Sequence, residues 1–381
     1  MLKRFELRNF KNFKDDIVVD FSKTGGYKYN TDCITNDMIG KMLIYGRNAT
    51  GKTNLGKAIM DINHEIISSF SLYDDYIVNA DISDGKIYYS YCFVFDTDEV
   101  IYNYFKNGSG KLISEKFLIN NKKIFECNFE NMKFDFKNLK QIAAQTVNSD
   151  IYTNAYLFDN DEQTSSELPF LKWLLGNAVF PKESVMIKLR SYIESMSYLT
   201  VGGLEGIVLR RRYKRYYDIL EDRNELVNFE KFLNEMGVEC SLTLEKLPDG
   251  QNELYFKHKK PIPFLENASS GTIALMNLYF RFVQKFRLMS FIYLDEFDAF
   301  YHYEMADNLV KYFKKNFENT QIIMTTHNTN LMTNRLMRPD CIFILSRWGS
   351  LTALCDATER ELREGHNLEK MYISGEFEKY E

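Results

Sequence analysis

The 381-residue sequence predicts an α/β protein in which a buried parallel sheet meets an antiparallel β layer. Three observations carry that expectation. Apolar runs at 42–45, 291–294 and 321–325 are strand-length and lack polar alternation, the pattern of strands buried on both faces. Each is followed by glycine, hydroxyl, acidic or histidine residues, and open α/β sheets gather ligands at such strand ends. Residues 86–129 alternate instead, with turns near 96–98 and 107–108, and read as antiparallel strands.

Bulk properties narrow the class. Composition is 45% apolar and 27% charged, which suits a globular core. The longest apolar runs fall far short of a membrane span, and the start lacks a signal-peptide core, so a cytoplasmic protein is expected. No two of the six cysteines form a CxxC pair, which argues for reduced thiols rather than a metal or redox unit. A net charge of −5 excludes a general nucleic-acid coat and leaves only a local basic patch for such contact.

The first strand leads into Gly46-Arg47-Asn48-Ala49-Thr50-Gly51-Lys52-Thr53, a full G-x-x-x-x-G-K-[ST] pattern, and a helix is expected from Asn54 onward. Gly46 and Gly51 let the loop curl so that backbone N–H groups face phosphate oxygens. Lys52 can reach the β and γ oxygens, and the Thr53 hydroxyl can ligate Mg²⁺. The pattern therefore predicts a P-loop nucleotide site formed by residues 46–54.

The second strand ends in Asp295 and Glu296. Asp295 is the expected Mg²⁺ carboxylate, and Glu296 is placed to orient and deprotonate water. The third leads to His327, positioned to sense a γ-phosphate or the water. Upstream, Ser269-Ser270-Gly271-Thr272 opens a strongly apolar helix. Those residues suit either simple capping or a second anion cradle.

These four pieces, in this order, resemble the ABC-type ATPases of the SMC, RecF and OLD group. The residues carrying the resemblance are "NFKNF" at 9–13, "GRNATGKT", "SSGT", "FIYLDEFDAF" and "TTHNTNLM". The tail "GHNLEKMYISGEF" looks like that of the short stand-alone AAA branch often labelled ATP/GTP phosphatase, whose members occur in phage-defence loci of the PARIS and AbiL types. The resemblance implies an SMC/RecF-like head that binds ATP and Mg²⁺ and dimerises head to tail. It assigns Lys52, Thr53 and Asp295 to phosphate and metal, Glu296 as catalytic base and His327 as switch. Ser269 would complete the partner's site. Ser270 departs from the glycine of many relatives, and His302 stands where the SMC form has an acid. Gln141, Gln145 and Gln163 are all candidates for the family's glutamine loop.

The resulting organisation is an N-terminal lobe (1–164), a compact helical insertion (165–237) and a C-terminal lobe (238–381). The insertion carries "LRRRYKRYY". Arg210, Arg211, Arg212, Lys214 and Arg215, with Tyr213, Tyr216 and Tyr217, suit DNA or RNA backbones and stacking. The same residues suit a solvated helix face paired with the acids that follow, the simpler reading. A hairpin is expected around 248–250.

The leading expectation is a Mg²⁺-dependent ATPase whose dimerisation controls a separate effector or a nucleic-acid grip. Alternatives are a slow-turnover scaffold that stores a toxin or nuclease, and a maintenance ATPase acting on DNA. A self-contained nuclease of the OLD kind is disfavoured because the stretch after His327 is short for a Toprim domain.

Overall fold

In a computed structural model, the chain is described at all residues except 68–76, 83–84, 143–146, 159–167, 201–215, 222–224 and 286–288. Among the described residues, a six-stranded sheet runs in the order 196–200, 291–295, 321–326, 41–45, 342–345, 351–353. The first five strands are parallel, and the last pairs antiparallel. The strands Lys41–Tyr45, Phe291–Asp295 and Gln321–Thr326 are buried at every position, as runs without polar alternation require.

A seven-stranded antiparallel sheet lies beside it, in the order 133–135, 122–128, 112–119, 98–106, 87–95, 2–8, 17–20. The alternating stretch at 86–129 forms four of these strands, as expected. Its inward face is largely aromatic: Tyr89, Tyr91, Tyr102, Tyr104, Phe117 and Phe125 are fully buried. The Tyr91 hydroxyl donates to Ala58 O at 2.8 Å, fastening this sheet to the helix after the phosphate loop. Tyr104 and Lys106 hold buried Asp61 in the next helix.

One side chain ties the two sheets together. Gln321 Oε1 accepts from Leu2 N at 2.8 Å, and Gln321 Nε2 donates to Leu2 O at 2.8 Å. Leaving either group unpaired inside this core costs about 1–3 kcal/mol, so the pairing fixes the relative placement of the sheets.

The helical expectation for 165–237 fails in part. Helices Phe170–Asn177, Val185–Glu194 and Leu226–Glu235 are present, but Met196–Thr200 is the edge strand of the parallel sheet, in register with 291–295. Its Met, Tyr and Leu fit either period over so short a run, and pairing with a strand almost a hundred residues away decides. The expected hairpin forms from Leu242–Lys246 and Asn252–Phe256. No described helix is long and apolar enough to cross a membrane.

Candidate nucleotide site

The loop at 46–53 leaves the central strand Lys41–Tyr45 and enters the helix Lys52–Ile59, two residues earlier than the expected helix start. Its curl is built on special backbone. Gly51 has φ 100°, and a Cβ there would lie 2.3 Å from Asn12 Nδ2. A Cβ on Gly46 would lie 2.6 Å from Thr50 Oγ1. Ala49 also has positive φ, at 63°, a strain that clusters at functional loops. Asn12 braces the loop from outside: its amide donates to Thr50 O at 3.1 Å and its oxygen accepts from Asn54 Nδ2 at 2.7 Å.

Lys52 is almost fully buried, and its ammonium donates to Gly46 O at 2.6 Å and Arg47 O at 3.0 Å, folding back across the loop's interior. Burial pulls its pKa down, while the carboxylates of Glu296, Asp295 and Asp298 push it up. The cation is thus held by loop carbonyls, within electrostatic reach of three acids.

Asp295 is the hub of the neighbouring strand end. Its Oδ2 accepts from Thr53 Oγ1 at 2.6 Å and from the Tyr198 hydroxyl at 2.8 Å, and its Oδ1 accepts from Thr325 Oγ1 at 2.9 Å. Thr325 in turn accepts from Glu296 N at 2.8 Å. One hydroxyl therefore fixes both acids relative to the third strand. Glu296 is exposed and has φ 48°, which turns its side chain out of the strand.

His327 is exposed at the end of Gln321–Thr326. Beneath this loop lies Asp298, whose Oδ2 accepts from Thr326 Oγ1 at 2.7 Å while Oδ1 is buried without a partner. Burial raises the Asp298 pKa, against the Thr326 hydrogen bond and the nearby His327.

The donor set fits a magnesium ion. Thr53 Oγ1 and Asp295 Oδ2 are adjacent hard oxygens, and no group of three or more His, Cys, Asp or Glu among the described residues could enclose a metal alone. Magnesium prefers such a sparse site, taking remaining ligands from phosphate and water.

The structure therefore brings together the loop, Lys52, Thr53, Asn54, Asp295 and Glu296, with His327 on the adjoining strand end. It does not bring Ser269, Ser270 or Gly271 into hydrogen bonding with the loop among the described residues. Ser269 Oγ instead accepts from Thr272 N at 3.1 Å, capping the helix Ser270–Lys285. A Cβ on Gly271 would lie 2.9 Å from Phe300 O, so this helix start packs on the loop that follows Asp295.

Arg210, Arg211, Arg212, Lys214 and Arg215 lie outside the described residues, as do Tyr213, Gln145 and Gln163. Tyr216 and Tyr217 are buried, and Tyr216 stacks on Phe280 at 4.3 Å, which removes both from any base-stacking surface. Gln141 sits in a short turn of helix at Leu139–Ile142.

Sequence reasoning assigned no part in the site to Tyr198, Thr325 or Asn12. Tyr198 carries no local signal, since the five residues Met196–Thr200 fit a helical period as well as a strand. Thr325 and Asn12 stood inside quoted motifs, at "TTH" and "NFKNF".

A family model described as "AAA domain, putative AbiEii toxin, Type IV TA system" matches residues 41–333. No curated protein matches the chain. Among solved structures, an SMC head bound to the C-terminal winged-helix domain of ScpA shares 16% identity, covering 90% of this chain and 93% of that one at TM-score 0.45. An SMC head domain from Thermotoga maritima shares 17%, covering 92% and 98% at TM-score 0.44. An SMC head with an extended coiled coil, bound to the C-terminal domain of ScpA derived from Pyrococcus furiosus, shares 16%, covering 93% and 96% at 0.43.

Proposed function

The chain belongs to this AAA-domain family, and we propose that it is a Mg²⁺-dependent ATP hydrolase whose nucleotide-bound form pairs head to tail with a second copy. The observation that carries the reading is the convergence of Lys52, Thr53, Asp295 and Glu296 at the ends of strands Lys41–Tyr45 and Phe291–Asp295.

In this reading the loop N–H groups and Lys52 bind the phosphates, and Thr53 and Asp295 hold Mg²⁺. Bound there, the ion neutralises charge on the transferring phosphoryl group. Glu296 orients the attacking water and accepts its proton, and His327 contacts the γ-phosphate side. Tyr198 and Thr325 keep the Asp295 carboxylate in one orientation through their hydroxyls.

Self-association is supported by the resemblance of Ser269-Ser270-Gly271-Thr272 to a signature that completes a partner's site. Ser269 caps its own helix and makes no bond to its own phosphate loop. A second copy is the natural source of a hydroxyl and helix N-terminus facing the open side of the phosphates. The family description, which names a putative toxin and a type IV toxin–antitoxin system, supports a role in such a system. An antiviral setting with a separate effector is what the resemblance of the tail to phage-defence ATPases supports. Hydrolysis would then set how long the paired state holds that effector.

The test is the mass of Glu296→Gln by light scattering, with and without MgATP. Loss of the base should slow hydrolysis by about 10²–10⁴-fold and trap a nucleotide-dependent dimer or larger even assembly. A mass indifferent to ATP, with nucleotide shown to be bound, would remove the pairing from the reading.

A further inference from the structure

A cavity of about 520 Å³ adjoins the outer face of the phosphate loop. Gly46, Arg47 and Asn48 form one wall, the exposed Trp348 another, and Tyr372 and Glu381 a third. Lys52, Thr53, Asp295 and Glu296 are not part of its lining. Its third wall comes from residues 367–381, which the functional reading leaves unused.

That segment meets the loop through a charge pair, a ring pair and the Tyr372 side chain, which hydrogen-bonds both Arg47 and Tyr45. The Arg47 guanidinium is ion-paired to the Glu381 carboxylate. Tyr45, the residue before the loop, packs edge-on against Tyr372 with centroids 4.7 Å apart. The Tyr372 hydroxyl hydrogen-bonds Glu381, and Arg347 N donates to Glu381 O at 3.2 Å. Glu381 is thus well held, its side chain 14% exposed, while Arg47 is 72% exposed.

The attachment of the segment is uneven. Leu368 and Phe377 are fully buried and anchor it, but none of residues 378–380 is buried. Gly375, at φ 84°, makes the turn just before the Phe377 anchor. Past that anchor Tyr380 packs half-buried against the core, while Glu381 is held to the loop by polar contacts.

We propose that residues 378–381 are a latch on the phosphate loop, in which Glu381 holds Arg47 until the triphosphate of a bound nucleotide takes the guanidinium from it. This rests on the nucleotide reading of the loop and adds a regulation to it. Arg47 belongs to the loop itself, its carbonyl and that of Gly46 both accepting from Lys52, and its guanidinium is largely exposed and so free to change partner. Arg favours phosphate because it can offer two parallel N–H groups to paired oxygens. A triphosphate carries several negative charges against one on Glu381, and an exposed ion pair is weak enough to be exchanged. Release of Arg47 leaves residues 378–381 held only by Tyr372, Arg347 N and the packing of Tyr380, which loosens them and makes nucleotide occupancy legible on the surface beside Trp348.

The test compares ATP binding to wild type, Glu381→Gln, Arg47→Gln and the double variant, with hydrogen exchange followed at 378–381. Glu381→Gln should tighten ATP binding by roughly two- to fivefold, the range set by an exposed pair, and that gain should vanish in the Arg47→Gln background. MgATP should also speed exchange at 378–381 in the wild type. Equal or weaker binding by Glu381→Gln, or a gain that persists without Arg47, overturns the latch, as does unchanged or slowed exchange. If wild type binds no nucleotide at all, the functional reading falls and takes the latch with it; binding without the Glu381 effect sinks the latch alone.

Discussion

Thr53 and Asp295 stand 242 residues apart in sequence, and the threonine hydroxyl donates to the aspartate Oδ2 at 2.6 Å. The contact joins the first turn of the helix after the phosphate loop to the end of the neighbouring acidic strand. In a loaded site both oxygens would face one magnesium ion. Thr53→Ser should keep hydrolysis close to wild type, while Thr53→Val should raise the magnesium needed for half-maximal rate by about tenfold or more. Asp295→Asn should cost about a hundredfold or more in rate. A magnesium titration of ATP hydrolysis decides, and an unchanged requirement in Thr53→Val would remove Thr53 from the metal.

Glu296 occupies left-handed backbone at φ 48°, a conformation that costs a non-glycine residue of order 1–3 kcal/mol. Its neighbours enforce it: Glu296 N is held by Thr325 Oγ1, and Phe297 N bonds Thr325 O at 3.2 Å. Glu296→Gly should relieve the strain, lose part of the gain to unfolded-chain entropy, and leave the protein about 0.5–1 kcal/mol more stable while hydrolysis collapses. Urea midpoints of the two proteins test this, and a less stable glycine variant would show that the strain reading is wrong.

The parts of the site visible in sequence are those carried by contiguous residues. The loop at 46–53 and the Asp295-Glu296 pair each combine a buried apolar strand with a polar end, and both signals are local. Tyr198 was illegible because its role depends on strand Met196–Thr200 joining Phe291–Asp295, a non-local pairing no five-residue pattern announces. Glu381 was illegible for the same reason, lying 334 residues from Arg47. Ser269 was legible as two alternatives, and the single chain displays the capping one. At 216–217 the tyrosines invited a stacking role, but their burial against the helix Ser270–Lys285 makes them core.

Gly51 cannot be replaced without moving Asn12. Its φ of 100° disfavours any side chain, and a Cβ would fall 2.3 Å from Asn12 Nδ2. Gly51→Ala should destabilise the protein by about 2–3 kcal/mol and abolish ATP binding. Adding Asn12→Gly should recover only part of the stability, because the clash is removed while the backbone cost stays. Denaturation curves of the single and double variants separate the two contributions. Full recovery in the double variant would mean that φ carries none of the cost.

Stability should also depend on a carboxyl far from the nucleotide. Glu115 is buried in strand Leu112–Ile119 and accepts from Phe170 N at 2.5 Å, Leu171 N at 3.3 Å and the Tyr102 hydroxyl at 2.9 Å. It thereby fixes the start of helix Phe170–Asn177 on the antiparallel sheet. Burial pushes its pKa up from 4.5 to about 7, outweighing the three donors. The folded state then holds this proton more tightly than the unfolded chain. Its contribution is fully present below pH 4.5 and fades as pH rises to 7, by up to about 3 kcal/mol at 1.36 kcal/mol per pH unit. Glu115→Gln cannot titrate and turns an N–H group toward backbone donors, so it should be less stable at both ends, with the deficit larger at pH 5 than at pH 7.5. Urea denaturation of both proteins at those two values gives the answer: a deficit that stays constant means Glu115 does not change its protonation on unfolding across this window.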